Sequence, residues 1–364
     1  MTKKKICFIA QFPPPVHGLS KAVETLYYSE ITDEFELEKI DIKNNKHILR
    51  TLWRLAASKA DLFYFTISQS KGGNLRDLLI LKVLELRKKK CLIHLHGGYY
   101  RKLVDTGLPA WQKRANYRAI SNLNGVIVLG ASLKSIFEGM IPDERILIVP
   151  NCVEDMYLLS EKELEEKTST LAERSVKHVL YLSNFIRTKG YPQVLEMAKM
   201  EKERVEAGGE PLFHFNFAGK FFEKAEEDYF WYYVKKNQLE KYITYHGIVS
   251  GEKKQKLLKM CDIFVLLTKY PNEGQPISII EAMGNGMVIV ATAHAGIPDI
   301  VKDGINGIVV NDDKELNNVY FSLCNYTAKN YYSNAMQNYS ECCNKYQQKV
   351  YIAKMRYIFR ELLS

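Results

Sequence analysis

Residues 272–306 read NEGQPISIIEAMGNGMVIVATAHAGIPDIVKDGIN, and this stretch decides the fold of the surrounding chain. The apolar run directly before it, at 262–267, has the length and β-prone composition of a buried parallel strand. From Ile277 onward the apolar spacing becomes helical, and a second apolar run at 288–291 follows the glycines that end the helix. Strand, loop, helix and strand predict one right-handed βαβ crossover, with the loop at the carboxyl end of the sheet.

The loop between the first strand and the helix suits the binding of a phosphate group. Gly274 allows a ligand to approach the backbone closely, and Pro276 opens the helix without wasting a hydrogen-bond donor. The amides of Gln275, Ile277 and Ser278 come at the positive end of the helix, where a phosphate is stabilised. We therefore expect these five residues to bind a phosphate-containing ligand.

Two glutamates flank this loop, Glu273 before the helix and Glu281 just over one turn inside it. Two carboxylates repel a phosphate, so their presence at this place indicates a further ligand group. Carboxylates accept hydrogen bonds from hydroxyl groups, and the spacing favours sugar hydroxyls on either side of a diphosphate. The alternative is an ordinary βαβ unit with two solvated glutamates.

This region resembles the donor-site signature of retaining glycosyltransferase family 4, through the pattern E-G-x-P-x-x-x-x-E-A-M-x-x-G at 273–286 and the string AGIPDIVKDGING at 295–307. Members of that family have the GT-B fold. The resemblance therefore implies two Rossmann-like α/β domains that face an interdomain cleft, with a C-terminal helix that returns to the first domain. It also implies that Glu273 is catalytic and reaches the transferred sugar, while Glu281 binds the nucleotide ribose.

A second candidate loop follows the predicted strand at 178–183. It carries Arg187, Lys189 and a glycine before a helix, and this composition suits a diphosphate. The family pattern places an arginine where this chain has Asn184, so Lys189 is the predicted phosphate ligand of the donor. Arg187 either replaces the missing arginine or lies exposed.

Two further candidates lie after predicted strands in the first half of the chain. His96 follows the strand that begins at Cys91, precedes two glycines and shares a strand face with His94. The resemblance implies that His96 is catalytic and lines the sugar pocket; a hydrogen-bonded structural histidine is the alternative. Gly18 lies in the loop after the first strand, where the family often has two glycines, and is predicted to approach the donor. No third ligand has the spacing for zinc, so no metal site is predicted.

The alternation of strands and helices predicts four segments. They are an acceptor-binding Rossmann-like domain at 1–155, a linker at 156–175, a nucleotide-sugar-binding Rossmann-like domain at 176–340 and a C-terminal helix at 341–364. The last segment carries an apolar stripe at helical spacing, formed by Tyr351, Met355, Ile358, Phe359 and Leu362. Such a stripe predicts a helix that packs on the first domain.

The net charge of +9 is concentrated in the first half of the chain. Residues 43–118 contain 17 lysines and arginines against 4 aspartates and glutamates. A basic surface suits a polyanionic partner, and we favour an anionic membrane leaflet that carries a lipid diphosphate. Aromatic residues interleaved with cations at 99–118 favour the same partner. A solvated basic face is the alternative, and nucleic acid is disfavoured because base-reading motifs are absent.

The sequence also predicts a compartment. No apolar run approaches the roughly 18–20 residues that span a bilayer, and the run after the N-terminal lysines is too short for a signal peptide. Seven cysteines without disulfide or metal spacing favour a reducing environment. We therefore expect a cytoplasmic protein that associates peripherally with the inner face of the cell membrane.

The resemblance implies the retaining transfer of a hexosyl unit from a nucleotide diphosphosugar to a hydroxyl acceptor. The basic first domain favours a lipid-linked saccharide as that acceptor, in cell-surface polysaccharide biosynthesis such as capsule or O-antigen assembly. A UDP-sugar is favoured as the donor over a GDP-sugar. No D-x-D pair ends a predicted strand, so the reaction is predicted to need no metal and no cofactor. The alternatives are a nucleotide-sugar epimerase of related fold and a non-catalytic nucleotide-sugar-binding subunit.

Overall fold

Two parallel sheets of six strands each form the framework of the chain in the computed structural model, which describes residues 3–14 and 18–364. In chain order the strands are β1 (Lys5–Ala10), β2 (Glu36–Asp41), β3 (Leu62–Thr66), β4 (Lys90–His94), β5 (Gly125–Val128), β6 (Ile146–Ile148), β7 (Lys177–Leu182), β8 (Phe213–Ala218), β9 (Ile243–Tyr245), β10 (Ile263–Leu266), β11 (Val288–Thr292) and β12 (Gly307–Val310). The first sheet has the order β2-β1-β3-β4-β5-β6, and the second has the order β12-β11-β10-β7-β8-β9.

Helices connect these strands, because parallel neighbours need a crossover connection. In chain order they are α1 (Gly18–Tyr27), α2 (Ile48–Ala57), α3 (Lys71–Leu86), α4 (Tyr100–Lys102), α5 (Ala110–Ser121), α6 (Glu161–Ser169), α7 (Tyr191–Glu206), α8 (Lys224–Lys236), α9 (Gly251–Met260), α10 (Ile277–Met283), α11 (Leu316–Cys324), α12 (Ala328–Lys345) and α13 (Gln348–Leu363). None of the helices in the described ranges has both the length and the apolar character that a bilayer-spanning helix needs.

The chain divides into two compact units, and neither unit is one continuous segment. The first consists of Met1–Cys152, Pro271–Gln275 and Gln348–Ser364, and the second consists of Val153–Tyr270 and Pro276–Gln347. Each unit therefore contains one sheet. We call Pro271–Gln275 the inserted segment, because it lies between β10 and α10 of the second unit in sequence and packs in the first.

Strands at the centre of each sheet are buried on both faces, as parallel strands covered by helices are. Every residue of β3 and β5 is buried in the first sheet, and every residue of β10 and β11 is buried in the second. Such strands need apolar residues at each position rather than at alternate positions. Continuous apolar runs therefore locate them in the sequence.

The C-terminal helix α13 packs on the first sheet, as the sequence predicts. The ring of Phe359 is fully buried, and its centre lies 5.9–6.2 Å from the ring centres of Phe8, Phe35 and Tyr64. Arg360 adds two hydrogen bonds of 2.6 Å to the carboxylate of Glu34. Aromatic packing therefore holds the end of the chain on the unit that contains its beginning.

The structure differs from the predicted boundaries in four places. Residues 153–155, predicted for the first domain, belong to the second unit, and the inserted segment, predicted for the second domain, belongs to the first. The predicted linker at 156–175 belongs to the second unit and contains α6, which begins with a capping box between Ser160 and Glu163. Its polar composition is that of a largely solvated helix rather than of a flexible linker. Residues 341–345 complete α12, and the returning helix begins only at Gln348.

The packing of α13 makes a prediction about stability. Phe359→Ala removes a buried ring and leaves a cavity beside the first sheet, so we expect the free energy of unfolding to fall by about 3–5 kcal/mol. Tyr357→Ala is a matched control on the same helix, because Tyr357 is 64% exposed. Its effect should stay within about 0.5 kcal/mol. Urea denaturation measures both, and equal effects would contradict the packing described here.

Candidate active site

The second sheet has a topological switch point between β7 and β10, because the chain continues from β7 to β8 on one side and β10 lies on the other. In parallel α/β sheets, ligands bind outside the carboxyl ends of the strands at such a point. The loops that follow β7 and β10 meet here. The backbone N–H of Lys269 donates to the carbonyl of Thr188 at 2.6 Å, and the hydroxyl of Thr268 donates to the same carbonyl at 3.4 Å.

Lys189, the predicted phosphate ligand, lies in this pair of loops. It ends the 3-10 turn Arg187–Lys189, and its ammonium nitrogen is 4.7 Å from the centre of the Tyr270 ring. The ring holds the ammonium group at the carboxyl edge of the sheet, where positive charge suits a phosphate. Lys189 thus lies at the switch point, and its contact with a phosphate stays a prediction.

Gly190 shows why the loop needs a glycine after the lysine. Its φ is 86°, and a Cβ at this position would lie 2.5 Å from the carbonyl oxygen of Leu267. Both the left-handed backbone and the close contact with the loop after β10 exclude a side chain. Gly190 thus allows the loop that carries Lys189 to pack against Leu267, directly after β10.

Helix α10 begins after Pro276, as the sequence predicts, and it has seven residues. Pro276 is the N-cap residue, and Ile277 and Ser278 form the first turn. The amides of a first turn point out of the helix at its positive end. The positions of these three residues agree with the predicted loop, and their contact with a phosphate stays a prediction.

Glu281 is buried on α10 and pairs with Lys254, a residue that the sequence analysis did not select. The ammonium nitrogen is 2.6 Å from the carboxylate, and the two side chains are 17% and 4% exposed. Lys254 also lies 4.2 Å from the centre of the Tyr157 ring, whose hydroxyl accepts a hydrogen bond from the backbone of Gly251. Burial raises the pKa of Glu281, and Lys254 opposes that shift. The site therefore contains a buried carboxylate whose counterion comes from α9.

Helical spacing could have identified Lys254. This residue lies three and four positions before Leu257 and Leu258, which are the buried residues of α9. A period of 3.6 residues places it on the same inward face. A lysine on the inward face of a helix needs an acidic partner. Glu281 of α10 is that partner.

The inserted segment brings Glu273 to the histidine–glycine turn of the first unit. A Cβ at Gly274 would lie 2.5 Å from the carbonyl oxygen of His96 and 3.0 Å from the Cα of Gly97. A Cβ at Gly97 would lie 2.7 Å from the carbonyl oxygen of Asn272. The two backbones therefore touch through a glycine on each side. His96 and Glu273, the predicted catalytic residues, each adjoin one of these glycines.

Gln275 fixes the end of the inserted segment. Its side-chain oxygen accepts a hydrogen bond from the backbone of Asn151 at 2.8 Å, and its side-chain nitrogen donates to the carbonyl of Leu129 at 3.1 Å. Its own carbonyl accepts from the Asn151 side chain at 2.8 Å. The buried side chain of Gln275 is thus committed to the protein, and only its backbone amide can take the predicted role in donor binding.

Two histidines lie at the end of β4 and directly after it. His94 is fully buried, and its Nδ1 shares a hydrogen bond of 2.7 Å with the hydroxyl of Tyr64. Its ring centre is 3.9 Å from that of the half-buried His96. Burial, together with the neighbouring His96, holds the pKa of His94 well below its usual range, so the ring is neutral. A neutral His94 can pack against His96 without charge repulsion.

Arg187 and Gly18 have different surroundings from those of Lys189. The Nε of Arg187 is 3.4 Å from the carboxylate of Glu226, and its guanidinium carbon is 4.4 Å from the centre of the Tyr229 ring. Arg187 therefore packs on α8 and is more than half exposed. Gly18 is the first residue of α1, and the predicted loop residues 15–17 before it lie outside the described residues.

Within the described residues, no group of three histidine, cysteine, aspartate or glutamate side chains lies together as a metal site would require. The buried carboxylate of Glu281 instead has an ammonium group as its partner. Independence from metal ions stays a prediction about the reaction.

Comparison with known proteins shows a family to which part of the chain is similar. Residues 162–319 match the family model described as glycosyl transferases group 1, a range that runs from α6 into α11. It contains Lys189, Lys254 and Glu281. Residues 162–319 are therefore similar to glycosyl transferases group 1.

Two curated relatives come from bacteria. A putative colanic acid biosynthesis glycosyltransferase, WcaL, of Salmonella typhimurium is 33% identical over 81 residues, which are 21% of this chain and 20% of the relative. An uncharacterized 41.2 kDa protein in the cps region of Klebsiella pneumoniae is 24% identical over 257 residues, which are 67% of this chain and 63% of the relative. The chain thus spans less than two thirds of the length of either protein.

Solved structures show the fold. The Anabaena protein Alr3699/HepE in complex with UDP has a TM-score of 0.74 at 14% identity, over 98% of this chain and 100% of that chain. Its complex with UDP-glucose has a TM-score of 0.72. With two six-stranded parallel sheets, the chain has the GT-B fold, and this confirms the predicted fold class.

The contact between the two glycines makes a second prediction. Gly274→Ala forces a methyl group against the backbone at His96, so we expect the free energy of unfolding to fall by about 1–3 kcal/mol. Gly72→Ala in α3 is the control, because a Cβ at Gly72 would have no atom within 4 Å. Urea denaturation should show an unchanged or slightly higher stability for that variant. Equal tolerance of both alanines would show that the contact carries no constraint.

The buried ion pair makes a third prediction. Lys254→Ala leaves Glu281 buried without its counterion, so we expect stability to fall by about 3 kcal/mol. The double variant Lys254→Ala/Glu281→Gln removes the buried charge and should recover at least half of that loss. Lys235→Ala on the exposed surface of α8 is the control and should be close to neutral. A double variant no more stable than Lys254→Ala would contradict the pairing.

Proposed function

We propose that this protein is a retaining hexosyltransferase that moves a hexosyl unit from a nucleotide diphosphosugar to a hydroxyl of a lipid-linked saccharide in cell-surface polysaccharide biosynthesis. One observation carries the proposal. The inserted segment packs glycine to glycine on the turn after β4, and this contact brings the segments of His96 and Glu273 together although they lie far apart in sequence. A catalytic role requires such groups to be held in a fixed geometry.

A uridine nucleotide is the donor base that we favour. HepE, which shares this fold, was solved with UDP and with UDP-glucose. In the proposed complex Lys189 neutralises charge on the diphosphate at the switch point, with the backbone amides of Gly274, Gln275, Ile277 and Ser278 as further donors. A GDP-sugar is the second candidate.

Glu281 is the proposed partner of the ribose hydroxyls. A carboxylate accepts hydrogen bonds from hydroxyl groups; burial raises the pKa of Glu281, and the ion pair with Lys254 opposes that rise. In the unliganded protein Lys254 donates to this carboxylate. In the proposed complex the ribose hydroxyls donate hydrogen bonds to it as well. The same reasoning assigns Glu273 to hydroxyls of the transferred sugar.

The proposed reaction forms a bond from the acceptor oxygen to C1 of the sugar and breaks the bond from C1 to the diphosphate oxygen. Both events occur on one face of the ring, so the configuration at C1 is retained. The proton of the acceptor hydroxyl passes to the departing phosphate oxygen. Lys189 and the backbone amides stabilise the charge that develops on that leaving group, without a metal ion.

The positive charge of the first half of the chain supports the proposed acceptor and the proposed membrane association. The basic first half suits a lipid diphosphate at an anionic membrane surface, on the cytoplasmic face. The names of the two relatives, one in colanic acid biosynthesis and one in a cps region, support a polysaccharide acceptor. Nucleic acid has no supporting motif.

Two other functions make different predictions. A nucleotide-sugar epimerase would convert the sugar without any acceptor and would keep it on the nucleotide. A non-catalytic subunit would bind the nucleotide sugar and release nothing. Nucleotide release that depends on an added acceptor separates the proposed transfer from both alternatives.

The first test is a thermal-shift comparison of UDP, GDP and ADP with the purified protein. At about 100 times its Kd a nucleotide adds about 2.7 kcal/mol to stability, which raises the Tm by several degrees. We expect UDP to give the largest shift, and we expect the shift to persist in EDTA. Glu281→Gln should reduce it, because the ribose loses its charged acceptor.

Glu163→Gln is the matched control, since Glu163 also pairs with a lysine, Lys259, in the same unit. The Glu163→Gln variant should have a changed melting temperature without ligand. The rise in its melting temperature on adding nucleotide should equal that of the wild type. A shift that EDTA abolishes would overturn metal independence. No shift from any nucleotide would overturn the proposed donor site.

A further inference from the structure

A groove lies between the outer surfaces of α3 and α5 in the first unit, and the proposed reaction does not use it. Its volume is about 550 Å³, and its lining includes Cys91 at the beginning of β4 and Asn124 just before β5. These are the amino ends of the strands. His96 and the inserted segment lie beyond the carboxyl end of β4, so a ligand in the groove is separate from the sugar site.

Large apolar side chains line this groove and remain exposed. Leu75 and Leu79 of α3 are 47% and 45% exposed, and Trp111 of α5 is 55% exposed. Small side chains, Ala115 and Ala119, keep the α5 wall open. Contiguous apolar surface of this kind on a folded protein marks a place where another molecule binds.

A buried network of amides fixes the two walls of the groove. Asn74 of α3 donates to the side-chain oxygen of Asn116 of α5 at 2.8 Å, and Gln112 donates to Asn74 at 2.9 Å. The hydroxyl of Tyr100 donates to Asn116 at 2.8 Å. Buried, satisfied hydrogen bonds of this type hold helices at one spacing. The groove is therefore preformed.

The rim of the groove is basic. Glu85 is the single carboxylate among the residues that line it; it pairs with Lys82 at 2.7 Å and accepts a hydrogen bond from Asn122. The hydrogen bond from Lys82 holds the pKa of Glu85 below its usual range, so Lys82 and Glu85 together carry no net charge. Lys88 and Arg118, both exposed, then leave the rim positive.

The exposed surface continues from α3 onto α2, which packs beside it. The steps from β2 to β3, β4 and β5 run in one direction across the sheet, so right-handed crossovers place α2, α3 and α5 on one face. Leu49 and Trp53 of α2 are 81% and 71% exposed on that face. We call the exposed surface of these three helices the basic-apolar face.

We propose that the groove binds an acyl chain of an anionic phospholipid while the basic-apolar face lies on the bilayer that contains it. Tryptophan and leucine enter the headgroup boundary, and lysine and arginine meet lipid phosphates at the same depth. Residues 43–118 contain 17 basic and 4 acidic residues, and this positive charge complements the anionic headgroups. This inference deepens the membrane association proposed above and rests on it.

The first test is flotation with vesicles of phosphatidylglycerol and phosphatidylcholine, against vesicles of phosphatidylcholine alone. The wild type should float with the anionic vesicles. Arg114→Glu/Arg118→Glu on the exposed side of α5 should weaken binding by about tenfold or more, because two cations near the headgroups become anions. Lys235→Glu/Lys241→Glu makes the same change of net charge on the second unit and should bind as the wild type does.

A second test asks whether the groove itself meets the acyl chains. A variant with Trp53→Phe and Trp231→Phe keeps Trp111 as its one tryptophan. Phosphatidylglycerol that is brominated on its acyl chain should quench Trp111 fluorescence, and Leu79→Glu should reduce the quenching. Quenching that Leu79→Glu leaves unchanged would overturn the groove as the binding site.

The outcomes separate the two levels of the proposal. A wild type that floats with neither kind of vesicle overturns the membrane association itself. Flotation that both charge-reversed pairs weaken equally overturns only the assignment to this face. A wild type that ignores vesicles but is retained by a single-stranded RNA oligonucleotide would assign the face to nucleic acid. None of these measurements uses a sugar donor, so a failure of glycosyl transfer does not affect them.

Discussion

The close contact between Gly274 and the turn after β4 is the constraint on which the candidate site depends. Neither backbone leaves room for a Cβ at this contact, so the two segments can approach only if both carry glycine. Gln275 then closes the segment with a buried hydrogen-bond network to Asn151 and Leu129. As a result the segment of Glu273 is fixed next to that of His96 by backbone packing.

The titratable side chains near the predicted site residues differ in how they are buried and paired. His94 is buried neutral beneath His96, whereas the carboxylate of Glu281 is buried together with the ammonium group of Lys254. A buried carboxylate without a counterion would take up a proton and lose its value as an acceptor. Lys189, by contrast, is held by an aromatic ring at the switch point. The second unit thus holds a buried carboxylate paired with a lysine and a second lysine at the switch point.

The first unit carries two surfaces of different chemistry, one at the turn after β4 and one along the groove between α3 and α5. The carboxyl end of β4 leads to His96 and the inserted segment, while the amino ends of β4 and β5 border the groove. In the proposed function the first surface meets the sugars and the second meets the lipid. A transferase with a lipid-linked acceptor needs both surfaces, because the acceptor is anchored in the membrane whereas the donor is free in solution.

Local patterns in the sequence determined the fold class, most strands, the start of α10 and the glycine positions, because these depend on residues close together in the chain. The same patterns located Lys189 and Glu281. The packing of whole elements sets three further features: Lys254 pairs with Glu281, the Gln275 side chain binds Asn151, and 156–175 belongs to the second unit and contains α6. Each of these partners lies far away in the sequence or depends on which face of a helix is buried. Helical spacing can place a residue such as Lys254 on an inward face, but its partner has no local signature, since the packing of whole elements determines which residues meet.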